Sequence, residues 1–296
     1  MMLSPMHTTS WSYDAAFARN TGLITPDEQQ RLRRSRIAIV GMGGVGGVHA
    51  VTLARLGVGS FTIADPDLFE VANTNRQYGA RQSTMGQYKS EVMAEVLRDI
   101  NPEADVRVMR DPISAENAEE FLKDADLFVD GIDAFEIDVR RLLFRLAAQH
   151  GRYAITAGPI GFGTAWLVFA PGGMSFDRYF DFSDPMQLED KFAAFAVGLF
   201  PRAVHREYMS MKSVNFAART GPSSSVGCQL ASGVVVAEAI KIILGRGSIR
   251  AAPYYQQFDA YLGRFVRGRL LSGNRHPMQR LKRWALARQL RAAMRG

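Results

Sequence analysis

Arg36-Ile-Ala-Ile-Val-Gly-Met-Gly-Gly-Val-Gly-Gly47 is a short apolar run that breaks into glycines and leads into a helical pattern. It reads as strand, turn and helix. In such a unit the glycines let the backbone approach a phosphate, and the helix N-terminus offers N–H groups with no partner in their own helix. Working outward, the first strand is Ile37 to Val40 and the helix runs from about Val45 to Leu56. Gly57-Val-Gly59 closes that helix, and Ser60 to Ala64 forms the second strand. Upstream, Thr25-Pro-Asp-Glu28 has the form of a capping box, which predicts a helix from Pro26 to about Arg34 within an arm spanning 11–35.

Downstream, a helix from about Gly86 to Ile100 carries Val92, Met93, Val96, Leu97 and Ile100 on one face, and Asn101-Pro102 stops it. Val106 to Met109 is a third strand and Asn117 to Lys123 a short helix. Leu127 to Val129 is a buried fourth strand that delivers Asp130 and Asp133 at its carboxyl end. A helix from about Ile137 to His150 and a strand from Tyr153 to Thr156 continue the alternation, and 157–170 is a glycine-rich turn feeding an antiparallel strand. Beyond Pro171 the pattern loosens into aromatics, prolines and short helical pieces, until an apolar helix at Gly227 to Leu244. A basic amphipathic helix with Leu281, Trp284, Ala285 and Leu286 among arginines runs from His276 to Met294.

The expected class is therefore α/β: a Rossmann-like, mostly parallel sheet flanked by helices, with an antiparallel extension and a helical C-terminus. The expected divisions are an N-terminal helical arm (1–35), a nucleotide-binding Rossmann-like core (36–170), a crossover or lid segment (171–222), the remainder of the core domain (223–270) and the basic C-terminal helix (271–296).

With 296 residues, 47% of them apolar, the chain can bury a sizeable core. One cysteine, Cys228, excludes an intramolecular disulfide framework and a cysteine set for zinc. With no signal peptide in Met1 to Ser10, this points to a reducing, cytoplasmic setting. No stretch of about 18 apolar residues is evident, so no transmembrane segment is expected. The net charge of +7 is uneven: residues 246–296 hold twelve Lys or Arg against Asp259 alone, or +11, leaving about −4 for the rest. Such a tail suits an anionic partner, tRNA among them, and equally suits solvated helix ends docked on a dimer.

The glycine loop Gly41, Gly43, Gly44, Gly46 also fits NAD and FAD folds, and Asp65 stands where an acid meets ribose hydroxyls in either case. The polar residues that follow discriminate. Asp65-Pro-Asp67, Asn73-Thr-Asn75-Arg76-Gln77, Lys89 and Asp133 supply donors and cations for a triphosphate and a carboxylate for magnesium. Any one of them is equally read as a surface ion pair or a loop cap; all in register on one parallel sheet are not.

These residues, in this order and near this spacing, resemble the superfamily of ThiF, MoeB and the ubiquitin-activating enzymes, from about Phe17 to Phe169 and again at Gly227 to Leu244. The resemblance implies an ATP- and magnesium-dependent adenylyltransferase that activates a carboxylate. It implies nucleotide contact at Gly44, ribose contact at Asp65, phosphate contacts at Ala72 to Arg76 and Lys89, and metal binding at Asp133. It also implies a homodimer in which Arg19 enters the partner's site, although Arg19 can instead pair with an acid at the dimer surface. Arg19, Arg76, Lys89 and Asp133 are thus the candidate catalytic residues.

Departures narrow the reading. The two Cys-x-x-Cys pairs of many members are missing, so no zinc is expected, and Ala134 stands where asparagine commonly follows the metal-motif aspartate. No cysteine lies in 171–220 to form a thioester, and Cys228 reads as a small buried hydrophobe. His49, His205 and His276 stand apart and suggest no histidine mechanism.

The first functional reading is activation of the C-terminal carboxylate of a small ubiquitin-like or sulfur-carrier protein, or of a peptide. A second is a tRNA threonylcarbamoyladenosine dehydratase-like enzyme, for which the basic C-terminus suits tRNA phosphates. A third is a non-catalytic nucleotide-binding or membrane-surface scaffold, with the last helix lying on anionic lipid. A plain NAD oxidoreductase is least favoured, for want of an acid–base pair.

Overall fold

The computed structural model describes residues 10–210, 215 and 219–293. The arm contains α1 (Tyr13–Phe17) and α2 (Pro26–Arg34). The capping box forms as predicted: Thr25 N–H donates to Glu28 Oε2 at 2.9 Å and Glu28 N–H to Thr25 Oγ1 at 3.3 Å. The core then alternates: β1 (Arg36–Val40), α3 (Gly46–Arg55), β2 (Ser60–Ala64), α4 (Lys89–Ile100), β3 (Asp105–Met109), α5 (Ala118–Leu122), β4 (Leu127–Asp130), α6 (Ile137–Gln149) and β5 (Tyr153–Ile160). β6 (Gly163–Phe169) turns back, and α7 (Phe176–Phe180), α8 (Leu188–Leu199) and α9 (Ser225–Leu244) follow. The hairpin β7 (Tyr254–Asp259) and β8 (Arg264–Arg269) leads to α10 (Pro277–Ala293).

The strands form one eight-stranded sheet in the order β3-β2-β1-β4-β5-β6-β7-β8. β1 to β5 are parallel, and β6, β7 and β8 are added antiparallel. The sequence predicted the parallel half closely. One antiparallel strand was anticipated, and the sheet has three. Every residue of β1 is buried, as a central parallel strand covered on both faces requires. α3, α4 and α9 cover one face with Leu53, Met93, Val235 and their neighbours. On the other face, Phe121, Phe144, Phe180 and Phe195 from α5 to α8 pack together. Strand order reverses between β1 and β4, and open α/β sheets bind ligands beyond the carboxyl ends of the strands at such a switch point.

Two further regions differ from the expectation, each for a physical reason. The region after Pro171 is more regular than its sequence suggests: α8 is a twelve-residue helix whose Phe195 and Leu199 complete the second core. α9 is long and apolar enough, by length and composition, to cross a membrane, which corrects the expectation that no such stretch exists. It lies instead against β5, β6 and α3, with Ala231, Val235 and Ala239 fully buried. Being covered on more than one side, it lacks the polar stripe of a surface helix.

His49 in α3 is fully buried, and neither ring nitrogen has a partner among the described residues. Burial alone pushes its pKa down to about 3 from 6.5. The unfolded chain therefore binds a proton that the folded chain refuses. Stability is full above about pH 6.5 and falls with pH down to about 3, by up to about 1.4 kcal/mol per pH unit. In urea melts at pH 7 and pH 4.5, His49→Leu is expected to lose less stability on acidification than the wild type. An equal loss in both would assign the acid sensitivity to other groups, such as His205, which burial lowers to about 4.

Candidate active site

The glycine loop leaves β1 at Gly41 and enters α3 at Gly46, and close packing dictates both residues. A Cβ on Gly46 would lie 1.7 Å from the Gly41 carbonyl oxygen, and one on Gly41 would lie 2.2 Å from the Gly131 carbonyl oxygen. Gly41 also adopts φ of +83°, which side-chain-bearing residues avoid. The loops after β1 and β4 thus interlock at the switch point. Asp65, buried at the end of β2, fixes this arrangement: its carboxylate accepts the Met42 N–H at 2.6 Å and the Asp67 N–H at 2.9 Å. Burial raises its pKa, opposed by Lys89 and by those two N–H donors. Sequence assigned Asp65 to ribose; the structure adds that it shapes the loop.

Arg76 and Gln77 reach the glycine loop from the turn after β2. The Arg76 side chain passes 3.7 Å from where a Gly44 Cβ would stand, and the Gln77 amide lies 3.5 Å from the corresponding position on Gly43. The Arg76 guanidinium donates to Ala72 O and Asn75 Oδ1 and makes no ion pair among the described residues. Gln77 Oε1 is buried without a partner among them, a polar atom that a ligand at the loop can satisfy. Asn73 caps its own turn by accepting the Glu70 N–H. Asn75 Nδ2 donates to Ser223 O at 3.0 Å, tying the approach to α9 to this turn. Lys89, first residue of α4, is buried and pairs with Asp67 at 2.9 Å.

At the end of β4 the two aspartates divide. Asp130 is consumed by a buried ion pair with Arg140 at 2.7 Å, whose guanidinium also stacks 4.4 Å from the Phe195 ring centre. Asp133 is exposed and engages the Phe135 N–H through Oδ1 at 2.9 Å. No cluster of three or more metal-ligating side chains exists among the described residues. Magnesium asks for only one or two carboxylates and completes its shell with phosphate oxygens and water. Asp133 fits that part and Asp130 does not. The tight glycine cradle and the cations Arg76 and Lys89 fit a triphosphate, whereas the orphan Gln77 oxygen, an acceptor, suits a donor such as a ribose hydroxyl.

The structure places Gly41, Gly43, Gly44 and Gly46 after β1, Asp65, Asp67, Asn73, Asn75, Arg76 and Lys89 after β2, and Asp133 after β4, all following strands whose carboxyl ends lie at one edge of the sheet. It separates Arg19. The arm is held to the opposite end of α3, where Tyr13 Oη donates to Gly57 O and Asn20 Nδ2 to Leu56 O. A ten-residue helix puts about 15 Å between that end and the glycine loop, so Arg19 does not serve the site of its own chain.

Sequence reasoning missed the place of Cys228. Its Sγ lies 3.1 Å from the position of a Gly44 Cβ, so it walls the nucleotide loop from α9. No local signal could reveal this, because the contact joins the first and last helices that cover this face. The thiol is 1% exposed and burial pushes its pKa up, against the nearby Ser223 and Arg76. Cys228→Ala is expected to keep adenylation activity within about threefold, and iodoacetamide to label Cys228 only on unfolding. Loss of activity above tenfold together with fast labelling of the native chain would make it a nucleophile.

A Rossmann-type nucleotide-binding domain with an arginine against the glycine loop is the class that fold and site define. The chain belongs to the ThiF family, whose sequence profile matches residues 17–280. It is similar to a tRNA threonylcarbamoyladenosine dehydratase of Haemophilus influenzae, 37% identical over 151 residues, covering 51% of this chain and 57% of that enzyme. It is also similar to the sulfur carrier protein ThiS adenylyltransferase of Bacillus subtilis, 37% identical over 115 residues, 38% of this chain and 34% of that one. The chain thus spans a third to a little over half the length of these relatives. The crystal structure of PaaA superposes with a TM-score of 0.67 at 20% identity, covering 90% of this chain and 86% of PaaA, a likeness of fold.

Proposed function

We propose that this chain is an ATP-dependent adenylyltransferase that activates a carboxylate. The observation that carries this reading is the interlocked glycine loop with the Arg76 side chain against it and no carboxylate partner for that arginine among the described residues; Lys89, after β2, and the exposed Asp133, after β4, follow strands that end at the same edge of the sheet. A carboxylate oxygen attacks the α-phosphorus, the P–O bond to the β-phosphate breaks, and its electron pair leaves with pyrophosphate. The attacking group is already an anion, so no general base is needed. Arg76 and Lys89 oppose the charge that develops on the phosphate oxygens, a task suited to preorganised cations. Magnesium held by Asp133 would screen the departing pyrophosphate.

The buried, high-pKa thiol of Cys228 supports a reaction that ends at the acyl-adenylate, without a thioester on this chain. The carboxylate is taken first as the C-terminus of a ubiquitin-like or sulfur-carrier protein or peptide, in keeping with the ThiS-activating relative. Identity to the threonylcarbamoyladenosine dehydratase favours a second reading, since a threonylcarbamoyl group also ends in a carboxylate. Homodimerisation with Arg19 acting across the interface, and a cytoplasmic setting, belong to the same reading. ATP–pyrophosphate exchange tests it, with exchange expected only when the right carboxylate is present. Stimulation by a glycine-ended carrier protein selects the first substrate and stimulation by threonylcarbamoyladenosine-bearing tRNA the second. NAD binding without ATP binding would end both.

A further inference from the structure

The basic C-terminal sequence invites an anionic partner, yet α10 presents fewer free cations than its composition implies. Arg275 and Arg283 share Asp181, Arg291 pairs with Asp190, and Lys282 donates to Pro201 O. Arg280, Lys282 and Arg288 keep no carboxylate partner among the described residues, and a tighter group of unpaired cations lies on and beside the β7–β8 hairpin. Arg250, Arg267 and Arg269 surround a cavity of about 160 Å³ whose wall includes Tyr254 and Gln256. Arg250 and Arg269 place their guanidinium carbons 5.7 and 5.1 Å from the centre of the same Tyr254 ring. None of the three pairs with a carboxylate among the described residues, whereas Arg264 on the same strand pairs with Glu207. Clustered like charges repel unless an anion joins them.

Pairing of Tyr254 with Arg269, Gln256 with Arg267 and Phe258 with Phe265 puts these six side chains on one face of the hairpin. That face carries Phe265, 54% exposed and stacked on the buried Trp166 at 6.1 Å. Aromatic ring and arginines therefore recur at two-residue intervals along β8, the outer strand of the sheet. Charged side chains also keep an edge strand from pairing with another. That role asks nothing of Arg250, which comes from the segment before β7, nor of two guanidiniums on one ring.

We propose that this face binds the phosphodiester backbone of a single-stranded nucleic acid. Arg267 and Arg269 stand about 7 Å apart along the strand, the scale on which phosphates recur in an extended chain. The planar guanidinium matches phosphate bidentately. The open face of Phe265 stacks an unpaired base, which a duplex cannot offer. The platform is five strand positions from β1, about 24 Å, and does not rest on the adenylation reading, because its binding is measured without ATP.

The test is fluorescence anisotropy of the full chain with a labelled single-stranded RNA of about 12 nucleotides, across 50 to 200 mM KCl, with polyglutamate and inorganic pyrophosphate as competitors. Arg267→Ala with Arg269→Ala is expected to weaken binding at least about tenfold and to reduce the slope of log K against log salt by about 1.4, or 0.7 for each lost phosphate contact. Phe265→Ala is expected to weaken binding at an unchanged slope. The double lysine variant, which keeps the charge and loses the planar fork, is expected to keep the slope and to bind with an affinity between those of the wild type and the double alanine variant. Unchanged RNA affinity in the double alanine variant would overturn the proposal. So would competition by polyglutamate equal to that of unlabelled RNA, which would make the face an unspecific cationic patch, or by pyrophosphate at equal phosphate concentration, which would make it a free-anion site.

Discussion

Replacing Arg76 by alanine is expected to lower carboxylate-dependent ATP–pyrophosphate exchange by about 10²- to 10³-fold, the usual consequence of removing one preorganised donor from a transition state. The stem of the side chain lies against the glycine loop, and the guanidinium has no carboxylate partner among the described residues, being bonded to Ala72 O and Asn75 Oδ1 of its own turn. Its charge is thus available to the phosphate. Because its partners lie at the surface, the variant should fold normally, and a melting temperature within a few degrees of wild type separates lost catalysis from lost structure. Arg76→Lys should recover only part of the rate, since an ammonium lacks the planar fork. Full activity in Arg76→Ala would remove this residue from the mechanism.

A second large effect is expected from Gly46→Ala. The added methyl carbon would sit 1.7 Å from Gly41 O, well inside van der Waals contact, and the atom it meets is backbone at the start of the loop. The loop must move outward, at a cost of about 1–3 kcal/mol for overpacking, and the N–H groups at the start of α3 turn from the phosphates. ATP should then no longer raise the melting temperature. Gly43→Ala is the control, because the nearest atom to its new Cβ is Gln77 Nε2 at 3.5 Å, an ordinary contact. Its stability should stay near that of wild type. Equal behaviour of the two variants would mean that the interlock between the β1 and β4 loops does not govern nucleotide binding.

The parallel half of the sheet was legible because β1 and β4 are continuous apolar runs and α3 and α4 have caps or stops that chemistry dictates. β7 and β8 were not, because Tyr-Tyr-Gln-Gln-Phe-Asp and Arg-Phe-Val-Arg-Gly-Arg mix aromatic, amide and charged residues on a half-open hairpin. In the site, each glycine, Arg76, Lys89 and Asp133 could be named from type and order. Their use could not: Asp130 and Asp133 look alike in sequence, and only the buried Arg140 reveals which one is already neutralised. Arg19 was legible as an arginine in the arm, but its distance from the site follows from bonds at the far end of α3. Cys228 reached the glycine loop through tertiary packing alone.

The most direct test of the central claim follows the oxygen atoms. With the carboxylate that supports exchange labelled with ¹⁸O, acyl-adenylate formation and hydrolysis or transfer should leave one labelled oxygen in the AMP released. Mass spectrometry of that AMP decides the matter. Labelled AMP appearing with pyrophosphate, and suppressed in Asp133→Ala, is the predicted result. Unlabelled AMP, or ADP and phosphate in place of AMP and pyrophosphate, would contradict attack by the carboxylate on the α-phosphorus.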